Sequence, residues 1–171
     1  MKRILIAVVA VGLSAASAAQ GGKQLLWGDT HLHTSNSSDA FGLGVRLGPE
    51  DALRFAMGEE VTSTTGLKAK LARPLDFLVI ADHSDGLAAL KAIHDAPRFL
   101  LPDPLLKRWH DELNKGPKES MAVAMELIDR FSNRTLPPDL MDPKAQLERE
   151  KGVWHDNTKI TERYDTPGKF S

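Results

Sequence analysis

Trp27-Gly28-Asp29-Thr30-His31-Leu32-His33-Thr34 places three potential metal ligands within five residues, directly after the apolar pair Leu25-Leu26. On a β-strand side chains alternate between faces, so Asp29, His31 and His33 fall on one side and Thr30 and Leu32 on the other. Residues two apart on a strand lie roughly 7 Å from each other, a separation from which two imidazoles can reach one ion at about 2.0–2.1 Å each. A helix would scatter the same residues around its circumference. For a bare His-x-His, a polar strand end with incidental histidines is the competing reading, and the rest of the chain has to decide between the two.

The second anchor is Leu75-Asp76-Phe77-Leu78-Val79-Ile80-Ala81, preceded by Pro74 and followed by Asp82-His83-Ser84-Asp85-Gly86. A short, nearly continuous apolar run between breakers reads as a strand buried on both faces of a parallel sheet. In α/β folds, sites gather just beyond the carboxyl ends of such strands, where both of these end in ligand-type residues. Between them, Thr34 to Gly42 is small and polar and reads as a loop. Pro49, Glu50 and Asp51 suit the start of a helix over 49–57 that ends at Gly58. Glu59 to Lys70 reads as a loop or a short edge strand.

From Leu87 onward the pattern turns helical, with segments at 88–93, 103–114, 118–131 and 143–164 separated by Pro97, Pro102, Gly116-Pro117 and Pro137-Pro138. In the third of these, Met121, Ala124, Met125, Ile128 and Phe131 recur at spacings of three and four, which assigns them to the core. His94, His110 and His155 lie in or beside helical segments without ligand spacing and read as ordinary surface or half-buried residues. Arg73, before Pro74, reads as a structural charge. The last residues form a turn that leads into what reads as the start of another strand.

The N-terminus opens Met1-Lys2-Arg3, runs uncharged from Ile4 to Ala19 and contains Ala16-Ser17-Ala18, the pattern of a secretory signal peptide over 1–19. The expected location is therefore periplasmic or secreted, with no membrane attachment once the signal is cleaved. The sequence has no cysteine, so a bound metal would have to be held by nitrogen and oxygen ligands. Loss of Lys2 and Arg3 leaves 20 basic against 23 acidic residues and a formal charge of −3, which argues against a nucleic-acid partner or an anionic membrane surface.

Taken together, Asp-x-His-x-His at one strand end and Ala81-Asp82-His83 at another resemble the polymerase-and-histidinol-phosphatase (PHP) superfamily of metal-dependent phosphoesterases. More closely, Trp27 to Ser35, Pro49-Glu50-Asp51-Ala52 with Gly58-Glu59-Glu60, and Arg73 to Leu78 with Ala81 to Ser84 resemble the exported DUF3604 family. The resemblance implies an α/β fold. The chain would be the N-terminal part of a distorted (β/α)7 barrel, with 20–171 belonging to that domain and 87–165 forming a mainly helical insertion. It also implies His31, His33 and His83 as metal ligands, Asp39 as a further one, and Asp29 and Asp82 orienting histidines from behind. The implied cofactors are divalent ions, zinc, manganese or iron, two or three in a complete domain, acting on a small-molecule substrate.

The function implied is an exported metal-dependent hydrolase of phosphoesters or related small phosphorus compounds, in which a metal-activated water attacks and no protein nucleophile is needed. Two other readings compete: a non-catalytic remnant or weak metal-binding module, and a metal-dependent amide or ester hydrolase. The family's remaining ligands are expected beyond Ser171, so the chain is expected to be an incomplete, inactive piece. Two strands cannot close a barrel, and an exposed parallel edge along Leu75 to Ala81 is expected to make the chain poorly stable.

Overall fold

The structure, a computed structural model, describes residues 24–171; the signal peptide read over 1–19 lies outside the described residues. In chain order the elements are β1 (Gly28–Leu32), α1 (Ser38–Gly42), α2 (Pro49–Ala56), β2 (Val61–Thr62), β3 (Lys68–Ala69), β4 (Phe77–Ile80), α3 (Ala89–Asp95), a 3₁₀ turn (Arg98–Leu100), α4 (Pro104–Leu113), α5 (Pro117–Ser132), α6 (Pro138–Met141) and α7 (Pro143–Tyr164). The fold is mixed α/β. Among the described residues no barrel is closed: β1 and β4 form one two-stranded sheet, and β2 and β3 another. No helix among them is long and apolar enough to cross a membrane.

β1 and β4 run parallel, Gly28 opposite Phe77 and Leu32 opposite Ile80. Between Asp29 and Leu32 the register shifts, because β1 advances three residues while β4 advances two, a local irregularity of the kind that re-aims side chains beside sites. The strands can approach this closely because position 28 is glycine: a Cβ there would lie 2.4 Å from the Phe77 carbonyl oxygen. On the other edge of β4, Ser171 donates its amide to the Asp76 carbonyl (3.2 Å) and accepts the Leu78 amide (3.0 Å), the hydrogen-bond pattern of a parallel bridge.

Leu78 and Ile80 face α2 and α7, where Leu53, Ala56 and Phe170 complete a small buried cluster. Val79 points the other way and is 46% exposed, so β4 is covered on one face, not both as its apolar run suggested. The helices lie on a single side of this sheet, and alternation leaves Val79 in water.

The larger core lies among the helices. Trp109, fully buried, is surrounded by Phe41 of α1, Leu90 and Ile93 of α3, Leu106 and Leu113 of α4, and Val123 and Ala124 of α5. Local sequence explains where these helices start. Asp103 and Asp142 each stand before a proline and accept the amide two residues on, Leu105 N at 2.6 Å and Lys144 N at 3.0 Å, so an N-cap and a preset first turn coincide. In α2, Asp51 reaches back to the Gly48 amide at 3.3 Å.

The buried face of α5 is Ser120, Val123 and Ala124, with Leu127 half-buried beside them; of the set that the periodicity selected, Ala124 is in the core. Met125, Ile128 and Phe131 are instead 57–60% exposed, a correction with a steric cause. α1 packs on α5 at Gly42, where a Cβ would lie 2.5 Å from that of Ala124, and this contact sets the rotation of α5 about its axis.

Candidate metal centre

β1 and β4 are parallel neighbours, so both deliver their C-terminal residues to the same end of the sheet. The loops that follow are stitched together. Asp82 accepts the Thr34 amide at 2.5 Å and the Thr34 hydroxyl at 2.8 Å, and the Asn36 carbonyl accepts the Ala88 amide at 2.7 Å. Ser37, wholly buried, accepts the His83 amide at 3.0 Å and donates its hydroxyl to Asp39 Oδ1 at 2.6 Å. One serine thus ties the second loop's histidine to the first loop's carboxylate.

Asp39 is held through Oδ1, which also accepts the Ala40 amide at 2.6 Å, while Oδ2 faces two imidazoles: His33 Nδ1 at 2.8 Å and His83 Nε2 at 3.4 Å. On its other side His33 Nε2 lies 3.0 Å from His31 Nε2. The ring centroids of His31 and His83 are 4.7 and 4.8 Å from that of His33. His33, Asp39 and His83 offer ligand atoms that all lie within 4.8 Å of one another, and His31 stands beside them. Burial alone would raise the Asp39 carboxyl, but hydrogen bonds from Ser37, His33 and the Ala40 amide outweigh it and hold its pKa at about 2, below the ordinary 3.8. The carboxylate is therefore an anion at any physiological pH.

The donor set suits a borderline divalent cation: imidazole nitrogens and one ionised carboxylate, with no thiolate. Two ring nitrogens at 3.0 Å repel if both are unprotonated, and a cation between them and Asp39 would turn that repulsion into attraction.

The structure thus brings His31, His33, Asp39 and His83 to one place. Asp29 and Asp82, expected to steer ring nitrogens, are engaged with backbone instead. Asp29 accepts the His31 amide at 2.8 Å, which the register shift removes from the strand ladder, and Asp82 holds Thr34. Their part in the site is to fix the chain that carries the histidines. His94 and His110 pair with their neighbours Asp95 and Asp111, and Arg73 pairs with Asp76 at 3.9 Å. Sequence reasoning gave Ser37 no role and used Thr34 only as part of a motif, not as a tie between the loops. Their only signal was a run of small hydroxyl residues after a strand, which loops carry for many reasons.

A family profile described as "Protein of unknown function (DUF3604)" matches residues 20–171. No curated protein and no solved structure matches the chain.

Proposed function

The chain belongs to the DUF3604 family, and from that premise we propose that it is an exported, metal-dependent hydrolase of phosphoesters or related small phosphorus compounds, akin to the PHP superfamily. The observation that carries this reading is the convergence of His33, Asp39 and His83, from two different loops, within 4.8 Å. Divalent metal bound there supplies an activated water near neutral pH and positive charge for phosphoryl oxygens.

The chain's own residues make that site. Ser37 and the Ala40 amide hold one oxygen of Asp39, so that the other stays turned to the imidazoles. Asp82 and Thr34 lock the loops together, which limits the reorganisation that metal binding demands. His83, with 56% of its side chain exposed, leaves the centre open to a substrate from solvent.

The test is metal content and hydrolysis of p-nitrophenyl phosphate and bis-p-nitrophenyl phosphate by the chain from Gln20, beside His33→Ala and His83→Ala. Bound zinc or manganese in the parent, lost in both variants, is the result expected of the centre, and turnover that disappears with the metal would make it a hydrolase. Metal without turnover would leave a metal-binding module, and no metal at all would sink the reading.

A further inference from the structure

The apolar side chains that α5 leaves in water line a pocket. Ile128 and Phe131, 57% and 60% exposed, belong to a cavity of about 210 Å³ that Leu136 and Leu140 also line. A Leu-, Ile- and Phe-lined cavity of about 150 Å³ admits benzene in another protein, so the space here suits a branched-alkyl or phenyl group. Charge enters the same lining from two directions, Asp85 from the loop after β4 and Arg149 from α7. Arg149 is anchored by its Nε on the Leu87 carbonyl at 3.2 Å, which leaves both Nη groups to a ligand. Among the described residues neither Arg149 nor Asp85 has an ion-pair partner within 4.0 Å, and they do not pair with each other. Gln146, also in the lining, donates its Nε2 to Glu150 Oε1 at 2.8 Å, so its own Oε1 is left as an acceptor.

An apolar cavity lined by one cation and one anion that do not neutralise each other selects its guest on three counts. A wholly apolar guest would take water from both charges and return nothing. An apolar acid would satisfy Arg149 but set a second carboxylate near Asp85, and an apolar amine would do the reverse to Arg149. A zwitterion meets both. Its carboxylate matches the guanidinium fork, and its ammonium, a donor only, matches Asp85 and the Gln146 oxygen. Few convergent polar groups around an apolar body is the usual make-up of a small-molecule site.

We propose that this pocket binds a free α-amino acid with a branched-alkyl or phenyl side chain, the side chain among Ile128, Phe131 and Leu140, the carboxylate on Arg149 and the ammonium on Asp85. The site shares no lining residue with His33, Asp39 and His83, so it is a second site and stands whether or not the cluster holds metal.

Calorimetry on the full chain tests this with L-leucine, glycine, isocaproate and isoamylamine, which supply the whole pattern, the two charges alone, and the apolar body with one charge or the other. L-leucine is expected to bind about tenfold more tightly than each of the other three, since each lacks one of the three contacts. Asp85→Asn, at an exposed position, should erase the preference over isocaproate, and Arg149→Gln the preference over isoamylamine. Leu140→Trp, which fills the cavity, should erase the preference over glycine. The two charge substitutions carry the test where the tryptophan disturbs packing, provided that their circular dichroism matches the parent's. No binding of L-leucine, isocaproate or isoamylamine binding as tightly as L-leucine, or preferences that survive both charge substitutions would each overturn the proposal.

Discussion

The cluster around Trp109 and the cluster around Leu78 are built in different ways. The helical one gathers nine buried residues from four helices and one connection that mostly follow one another in sequence. The sheet cluster has four, and they come from α2, β4 and Phe170, far apart along the chain. Helices complete a core from near neighbours, whereas a parallel pair needs partners that arrive late, so the helical part should carry most of the stability. The candidate metal ligands sit on the less-supported part.

Trp109→Ala should break that comparison most visibly. Removing a fully buried indole costs about 3–5 kcal/mol, enough to unfold the helical part of a domain of ordinary stability in a guanidinium melt. Loss of less than about 1 kcal/mol would mean that the helical cluster is not the stabilising one. Gly28→Ala tests the other region. Its Cβ would meet the Phe77 carbonyl, a backbone atom that can retreat only if the strands part, so a loss of about 2–3 kcal/mol is expected. Hydrogen exchange should locate this loss at the Asp76 and Ala81 amides, which donate to the Trp27 and Leu32 carbonyls, and spare α4 and α5. Faster exchange in the helices as well would show that the two regions unfold as one.

A third measurement uses pH. Glu126 of α5 accepts both Arg108 and the Trp109 indole of α4, and Arg130 of its own helix, at 2.6–3.0 Å. Burial would raise its carboxyl, but these donors prevail and lower it from 4.5 to about 2. A carboxyl depressed on folding contributes stability that is complete above pH 4.5 and is lost as pH falls toward 2. A quarter of the side chain, 26%, is in water, and screening holds the contribution to about 1 kcal/mol. Glu126→Gln keeps an acceptor for Trp109 and should flatten the acid limb of the stability curve by that amount. An unchanged slope would assign acid sensitivity elsewhere, Asp39 first.

Much of this was legible in the sequence, and the failures follow one rule. Helices read to begin at 49, 103 and 143 begin at Pro49, Pro104 and Pro143, because prolines and other breakers act within one turn. Asp-x-His-x-His and Ala81-Asp82-His83 were readable as ligand-type strand ends, and the structure brings their histidines together with Asp39. What could not be read depended on which neighbour lay opposite. α1 is five residues long, too short for a periodicity, and α5 is rotated by a glycine contact that no spacing encodes. Asp29 and Asp82 were assigned to imidazoles because a carboxylate near a histidine invites that pairing. The backbone amides that they hold became available only through the bulge in β1 and the crossing of two loops.

The smallest expected effect bears on the same rule. Leu78 and Val79 are adjacent in an apolar run that treats them alike, yet Leu78 is 7% exposed and Val79 46%. Val79→Thr, nearly the same in shape, should change stability by less than about 0.5 kcal/mol, because its new hydroxyl stays in water. Leu78→Thr, which puts a hydroxyl among Leu53, Ala56 and Phe170, should cost several times more. If both substitutions cost about 2 kcal/mol or more, the outer face of β4 is covered in solution. The strand would then have the two-sided burial that its sequence suggested, and the sheet would match the helical core in support. A clear difference between the two would keep the asymmetry, with the candidate metal ligands carried on a sheet that is packed from one side.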